Sequence, residues 1–127
     1  MPLVRTALRR TKEPDFGKMV GEVVYRKMLE TLNVPAKDNF QIITEHDENS
    51  LIYDPNYLDI PRTNGIVIIQ ITLNEGRSLE LKKAFYQAVA DSLHDEFGLR
   101  REDILINLVE VKKENWSFGN GVAQYAQ

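Results

Sequence analysis

Residues 65–73 read Gly-Ile-Val-Ile-Ile-Gln-Ile-Thr-Leu, which is the most strand-like run in the chain. Its near-continuous β-branched content predicts a strand that is central in a sheet and covered on at least one face. After a turn at 74–77, Ser78 is a suitable N-cap for a helix and Gly98 is a suitable stop. Residues 104–111 then predict another strand. The second half of the chain therefore reads as strand, helix, strand.

The first half has the same order of elements. Residues 2–8 predict a strand, and Thr11 or Asp15 would cap the helix that follows. Residues 39–44 alternate well enough to predict a second strand, and 45–64 form a polar, turn-rich connection to the second half.

Both predicted helices carry apolar residues that would face a sheet. In the first helix these are Phe16, Met19, Val20, Val23, Val24, Met28 and Leu32. In the second helix they are Leu79, Leu81, Phe85, Ala88, Val89, Leu93 and Phe97.

A shift of 65 residues aligns the two halves without a gap. Apolar positions coincide, as when Val20 falls on Phe85, and so does a turn residue, since Asp38 falls on Asp103. The chain is therefore expected to be an internal repeat.

The repeat predicts an α/β (α+β) protein made of two consecutive β-α-β units. We expect one domain, residues 1–127, with the units at about 2–62 and 66–127. Right-handed crossovers would place the two strands of each unit parallel, giving a four-stranded mixed sheet with two helices on one face. The apolar residues are too many for one exposed sheet face, so the other face is expected to be covered by oligomerisation. The alternative, an unrelated ferredoxin-like domain, predicts a monomer with antiparallel pairing within each unit.

Composition excludes several classes of function. The chain has 127 residues, a net charge of −3 and no cysteine, which excludes disulfides, thiolate chemistry and cysteine-zinc sites. Its two histidines share no metal-ligand spacing, and no basic patch suggests nucleic acid. No signal peptide or membrane-spanning segment is visible, so the expected compartment is the cytoplasm.

Pro2 is a candidate catalytic residue. Initiator methionine is usually removed before a residue as small as proline, which would leave Pro2 with a terminal secondary amine. An α-amino group has a pKa of about 7.7–8.0, and burial lowers that pKa because it disfavours the charged form. At the start of a buried strand such an amine would be neutral near pH 7 and able to act as a general base. The alternative is that Pro2 only stiffens a free chain end.

Two local stretches resemble known segments of one family. Residues 34–41 read VPAKDNFQ and resemble the VPAxDxxQ segment of the malonate semialdehyde decarboxylase branch of the tautomerase superfamily. Residues 115–121 read NWSFGNG and resemble the WSFGxG segment of that branch. The resemblance extends from Pro2 to about Tyr125 and includes the terminal proline, the two β-α-β units and the absence of cysteine.

The resemblance implies a homotrimer in which the sheets form an inner barrel and the helices lie outside. It implies that Pro2 is the catalytic proline and that Asp38 positions or activates a water or the proline. It further implies that Arg77 binds a substrate carboxylate. It also implies an aromatic wall that shields the proline; in this chain the wall consists of Trp116, Phe118 and Tyr125.

One position departs from the family pattern. The branch has two arginines in the loop after the third strand. One of them matches Arg77, and the other, two residues earlier, is Glu75 in this chain. The loop loses half of its cationic clamp and gains a negative charge beside an anionic substrate, which argues against malonate semialdehyde decarboxylation. Candidates to replace the missing arginine are Arg5, Arg9, Arg10, Arg62 and Arg100.

Each site residue also has a purely structural interpretation. Asp38 would be a turn residue bonded to nearby backbone, as its counterpart Asp103 suggests. Arg77 would be a solvated turn arginine. The aromatic wall would be core, trimer contact or chain-end packing.

The function that these features favour is cofactor-independent keto-enol proton transfer on a small 2-oxo or enol acid. Neutral Pro2 would be the base, and Arg77 would hold the carboxylate and the developing oxyanion. No metal, nucleic acid or membrane partner is expected. The alternatives are decarboxylation or hydration with a protonated Pro2 and an Asp38-activated water, or a trimeric relative that has lost catalysis.

Overall fold

Two strand–helix–strand units form the chain, as the computed structural model shows for residues 2–126. The elements are β1 (Leu3–Arg9), α1 (Phe16–Thr31), β2 (Phe40–His46), β3 (Val67–Asn74), α2 (Leu79–Phe97) and β4 (Ile104–Val111). Each lies within two residues of its predicted position. Single 3₁₀ turns occur at Tyr57–Asp59, Arg101–Asp103, Lys113–Asn115 and Gln124–Ala126.

The four strands form one mixed sheet in the order β2-β1-β3-β4. Strands β1 and β2 are parallel, and so are β3 and β4. The units meet at the centre of the sheet, where β1 and β3 pair antiparallel, with Leu3 opposite Thr72. Parallel pairing within each unit confirms the predicted β-α-β arrangement and contradicts the ferredoxin-like alternative.

The hydrophobic core lies between one face of this sheet and the two helices. Alternate residues of β1 and β3 point into it, and Val4, Ile69 and Ile71 are fully buried. Val20 of α1 and its repeat counterpart Phe85 of α2 are fully buried too. The 65-residue shift therefore relates positions that have the same role in packing.

A small residue brings α1 close to β2. A Cβ added at Gly17 would lie 2.6 Å from Cγ2 of Ile43, a separation that real contacts do not reach. Helix and strand approach closely because Gly17 has no side chain.

One local prediction was wrong, and another was confirmed only in part. Leu79 was placed among the core residues of α2, but it is 58% exposed. It lies two residues from Leu81, and a helix turns about 100° per residue, so Leu79 points away from the buried stripe. Asp15 is the N-cap residue of α1, but its side chain makes no capping hydrogen bond. The Thr11 hydroxyl donates instead to the Glu13 carbonyl.

The sheet face opposite the helices, which we call the open face, carries apolar side chains. Phe40 is 54% exposed, and Ile42, Leu105 and Val109 are each more than a third exposed. On a single chain such a face leaves apolar side chains exposed to water.

The connection between the units is anchored by a buried carboxylate. Asp103 is 2% exposed, and it accepts hydrogen bonds from the backbone N–H of Thr63 at 2.7 Å and from the Thr63 hydroxyl. Arg9 contributes a second anchor, donating to the Asn64 side chain and to the Leu51 carbonyl. The connection is thereby fixed at the end of the sheet where β3 and β4 begin.

We expect Asp103→Ala to lower the free energy of unfolding by about 2–3 kcal/mol, because both Thr63 donors lose a charged acceptor in a buried setting. Urea denaturation measures this. The control is Asp95→Ala, at an exposed position of α2, which should change stability by less than about 0.5 kcal/mol. Equal stability of the two variants would show that Asp103 does not anchor the connection.

Candidate active site

The predicted site residues gather at one end of the sheet, which we call the site end. Because β1 and β3 are antiparallel, the starts of β1 and β2 lie beside the ends of β3 and β4. Pro2 precedes β1 and Asp38 precedes β2, whereas Arg77 follows β3 and the aromatic wall follows β4. The fold thus brings together elements that are up to about 120 residues apart in sequence.

Pro2 is buried at this end. Leu3 pairs with Phe40 and with Thr72, so the next position in each register places Pro2 beside Asn39 and Leu73. Pro2 therefore lies between the entry to β2 and the last residues of β3.

Asp38 is half-buried, and its backbone N–H donates to the Pro35 carbonyl at 3.2 Å. Its carboxylate makes no hydrogen bond or ion pair with any other residue in 2–126. Its repeat counterpart Asp103 differs, since that carboxylate accepts both hydrogen bonds from Thr63 and lies 3.7 Å from Nη1 of Arg100. The anchoring role that the repeat suggested thus belongs to Asp103, and Asp38 keeps an unpaired carboxylate near Pro2 among the described residues.

Arg77 is half-buried and holds two backbone carbonyls. Its Nε donates to the Leu32 carbonyl at 2.7 Å, and its Nη1 donates to the Asn74 carbonyl at 3.1 Å. Leu32 is the C-cap of α1, where unpaired carbonyls and the helix dipole favour a cation. Arg77 is therefore not a solvated turn residue, because it ties the end of α1 to the end of β3.

An ion pair between Lys82 and Glu110 lies near Arg77. Lys82 donates to the Glu110 carboxylate at 2.5 Å. This hydrogen bond lowers the pKa of Glu110, and the Arg77 charge adds to the effect. Glu110 stays ionised beside the two cations, so the site end carries mixed charges instead of a purely cationic clamp.

The aromatic wall is a contiguous cluster. Trp116 and Phe118 stack with ring centroids 5.3 Å apart, and Tyr125 packs edge-on against Phe118 at 4.9 Å. The Trp116 indole donates to Oδ1 of Asn74 at 2.7 Å, which fastens the cluster to the end of β3. Phe118 and Tyr125 remain more than a third exposed, so the cluster is not part of the chain's core.

Gln124 holds the chain end against the aromatic wall. Its Oε1 accepts from the backbone N–H of Phe118 at 2.9 Å, and its Nε2 donates to the Gly119 carbonyl at 2.9 Å. Gly119 has φ +145°, a conformation that L side chains rarely adopt. The glycines of this stretch thus permit the turn that brings Tyr125 back onto Phe118.

Glu75 is exposed at the same end of the sheet, and its backbone N–H donates to the Val111 carbonyl at 2.9 Å. The arginines considered as replacements lie elsewhere in this chain. Arg9 bonds to Asn64, and Arg62 donates to the Tyr57 carbonyl, at the opposite end. Arg10 and Arg100 are also at that end, and Arg5 is at mid-strand on the open face. Of these arginines and Arg77, Arg77 is the one that lies at the site end.

Metal-ligating clusters and bilayer-spanning helices are both absent from the described part of the chain. Residues 2–126 contain no group of three metal-ligating His, Asp or Glu side chains. No helix among them is both long and apolar enough to cross a bilayer.

Sequence reasoning missed Asn74, Leu32 and Gln124. Asn74 was read as a turn residue, although it is the last residue of β3 and accepts the Trp116 bond. No sequence signal pairs an asparagine with an indole 42 positions away. Asn74 and Trp116 become neighbours only when β3 and β4 pair.

We expect Arg77→Lys to lower the free energy of unfolding by about 1–2 kcal/mol, because a single ammonium cannot reproduce the two-donor fork that holds α1 and β3. Denaturant melts measure this. Arg10→Lys, at an exposed position, is the matched control and should shift stability by less than about 0.5 kcal/mol. Unchanged stability in Arg77→Lys would leave Arg77 with no structural role.

Known proteins are similar in sequence to this chain over nearly its whole length. The profile of the family described as "Tautomerase enzyme" matches residues 38–119. The chain is similar to the probable tautomerase YusQ of Bacillus subtilis (strain 168), with 39% identity over 98% of both chains. It is also similar to the probable tautomerase YrdN of that organism, with 34% identity over 98% of this chain and 96% of the relative.

Solved structures share the fold. A malonate semialdehyde decarboxylase inhibited by 3-bromopropiolate superposes with a TM-score of 0.87 and 32% identity, covering 97% of this chain and 93% of that one. A second malonate semialdehyde decarboxylase, described as having decarboxylase and hydratase activities, superposes with a TM-score of 0.87 and 25% identity. The match covers 97% of this chain and 95% of that one. A fused 4-OT protein, solved as a symmetric trimer, superposes with a TM-score of 0.78 over 98% of each chain. Its sequence identity is only 18%, so this similarity shows the fold alone.

The predicted fold, with two β-α-β units and helices on one face of a mixed sheet, is thus the fold of these proteins. The profile match covers more than half of the chain, and the identity to the relatives extends from end to end. The chain therefore belongs to the tautomerase family and is an enzyme of that family.

Proposed function

We propose that this protein catalyses cofactor-independent keto-enol proton transfer on a small 2-oxo or enol acid, with Pro2 as the general base after removal of Met1. The observation that carries this proposal is the convergence of Pro2, Asp38, Arg77 and the aromatic wall at one end of the sheet.

The environment of Pro2 suits a base. Pro2 is buried, and burial disfavours a protonated amine, so a free Pro2 nitrogen would carry a lone pair near neutral pH. The strand that follows is held on both sides, by β2 and by β3, which fixes the nitrogen in place. A fixed, neutral base is what general-base catalysis requires.

Arg77 is suited to bind the substrate's carboxylate. Its Nε and Nη1 are held by backbone carbonyls, which fixes the plane of the guanidinium. Its Nη2 has no partner among residues 2–126 and is left to donate to a carboxylate or to a developing oxyanion. The cation is thus pre-oriented before substrate arrives.

The proton balance needs no further reactant. Pro2 takes the proton of the enol hydroxyl, and the electrons of the O–H bond form the carbonyl. The π electrons of the enol C=C bond then take the proton back from Pro2, which forms the new C–H bond at the α-carbon. The reverse direction removes the α-proton and returns it to oxygen. The aromatic wall would exclude water and keep the amine neutral during the transfer.

Decarboxylation or hydration of a 3-oxo acid is the second candidate. It is favoured by the unpaired Asp38 carboxylate, which would activate water, and by the similarity to malonate semialdehyde decarboxylases. It would require a protonated Pro2. Glu75 weighs against it, because this exposed carboxylate stands where the decarboxylase branch has an arginine beside its anionic substrate. If neither reaction occurs, the chain is a family member without catalysis.

The assembly we propose is a homotrimer. The open face exposes apolar side chains from β2 and β4, including Ile42 and Val109, and a second copy of the chain would cover them. The trimeric state of a fused 4-OT protein with this fold is consistent with that arrangement.

We expect Pro2→Ala to lower kcat/KM for phenylenolpyruvate ketonisation by about 10²–10⁴-fold, the usual contribution of a general base. Ultraviolet absorbance follows the reaction, and intact mass confirms that Met1 is absent from both proteins. Pro14→Ala, at an exposed position before α1, is the matched control and should keep wild-type turnover.

Three outcomes are informative, from that assay, from the mass measurement and from a parallel assay with malonate semialdehyde. Equal turnover in wild type and Pro2→Ala would remove the general-base proposal. Turnover of malonate semialdehyde alone, with a pH optimum below the pKa of the proline, would favour the second candidate. Retained Met1 in an active protein would contradict both roles of Pro2.

We expect Val109→Asp to convert the trimer to smaller species, because a carboxylate in the open-face row that includes Leu3 and Phe40 is costly to bury. Light scattering should give three times 14.6 kDa for the wild type and less for the variant. Leu79→Asp introduces the same charge at an exposed apolar position on the helix side and should leave the mass unchanged. A wild-type monomer would contradict the proposed assembly.

A further inference from the structure

We propose that Asn74 is a positioning residue that couples Arg77 to the aromatic wall, so that the cation and the aromatic shield move as one unit. This inference rests on the proposed function, in which Arg77 binds the substrate and the wall covers Pro2.

The side chain of Asn74 fixes the tryptophan. Its Oδ1 accepts from Trp116 Nε1 at 2.7 Å, and both residues are half-buried. An indole has one N–H and no acceptor, so this is the one hydrogen bond that can orient the ring. Phe118 stacks on that ring, and Tyr125 packs on Phe118, so the orientation is passed along the whole wall.

The backbone of Asn74 fixes the arginine. Its carbonyl accepts from Arg77 Nη1 at 3.1 Å, while Arg77 Nε is held by Leu32. The same residue therefore contacts the cation through its main chain and the wall through its side chain. A shift at either end must displace the other.

Asn74 is itself held firmly. It is the last residue of β3 and pairs with Val111 of β4, and the next residue, Glu75, donates to the Val111 carbonyl. The preceding residue, Leu73, is buried in the core and lies beside Pro2 in the register. Asn74 is thus the point at which the sheet, the cation, the wall and the position of the proposed base meet.

The chemistry of the contact requires an acceptor at this position. Because the indole only donates, the amide must present its oxygen to Trp116. Aspartate would keep that oxygen, whereas leucine has a similar size and no acceptor. These two substitutions separate the hydrogen bond from the volume of the side chain.

The test uses the full-length protein with three variants, Asn74→Leu, Asn74→Asp and Trp116→Phe. Trp116 is the chain's one tryptophan, so its emission reports this contact directly. Asn74→Leu should lower kcat/KM for phenylenolpyruvate about tenfold, shift Trp116 emission to longer wavelength and increase its quenching by acrylamide. Asn74→Asp should restore the emission, because the carboxylate keeps an acceptor for the indole N–H.

A matched control separates positioning from general loss of stability. Asn64 also accepts side-chain bonds, from Arg9 at 2.9 Å and Tyr53 at 2.7 Å, but at the opposite end of the sheet. Asn64→Leu should lower stability and leave Trp116 emission and kcat/KM unchanged.

A double variant tests whether Asn74 acts through the tryptophan. Trp116→Phe keeps the stacking ring and removes the donor, so adding Asn74→Leu should cost little further activity. Fully additive losses would overturn the proposal, as would wild-type emission in Asn74→Leu.

The coupling to Arg77 has a readout that does not depend on turnover. Arg77→Lys should shift Trp116 emission in the wild-type background and have no such effect when residue 74 is leucine. This result would support the coupling even if the ketonisation assay failed for the wild type, which would overturn only the proposed function. No emission change in either background would overturn the coupling.

Discussion

The antiparallel pairing of β1 with β3 is the constraint on which the rest of this structure depends. Each unit alone would have its strand starts at one end and its strand ends at the other. Because the central strands run in opposite directions, the starts of the first unit lie beside the ends of the second. This reversal places Pro2 beside Leu73 and brings Asp38 and Arg77 to the same end of the sheet. A parallel joint between the units would have separated them.

The two units share packing but not chemistry. Val20 and Phe85 occupy equivalent, fully buried positions, whereas Asp38 and Asp103 have different environments. Asp103 anchors the connection through Thr63, while Asp38 has an unpaired carboxylate among the described residues. Equivalent positions of the repeat can therefore differ in role, since Asp103 anchors the connection and Asp38 keeps a carboxylate for the proposed function.

Charge at the site end is balanced between structure and binding. Arg77 uses two donors to hold the ends of α1 and β3, so its cation is rigid before any ligand binds. Glu110 pairs with Lys82, and its pKa is lowered mainly by that bond. Glu75 in the same loop adds a further exposed carboxylate, so the site end carries charges of both signs.

The sequence by itself determined the elements and their order, because hydrophobic periodicity, β-branched runs and capping residues act within a few neighbours. Ser78, Gly98 and the run at 65–73 each specified a boundary in this local way. The 65-residue repeat and the two motif-like stretches also identified the family and singled out Pro2, Asp38 and Arg77. Leu79 shows the limit of that reasoning, since a two-residue spacing from Leu81 placed it outside the stripe.

Only the tertiary structure decided what those side chains contact. It showed that the Asp103 carboxylate is hydrogen-bonded whereas that of Asp38 has no partner among the described residues. It also showed that Arg77 donates to the carbonyls of Leu32 and Asn74. Trp116 bonds to Asn74, which is 42 positions away in sequence. Such contacts depend on which strands become neighbours and in which direction they run. That choice is made by burial of the whole sheet against both helices, and no local pattern records it.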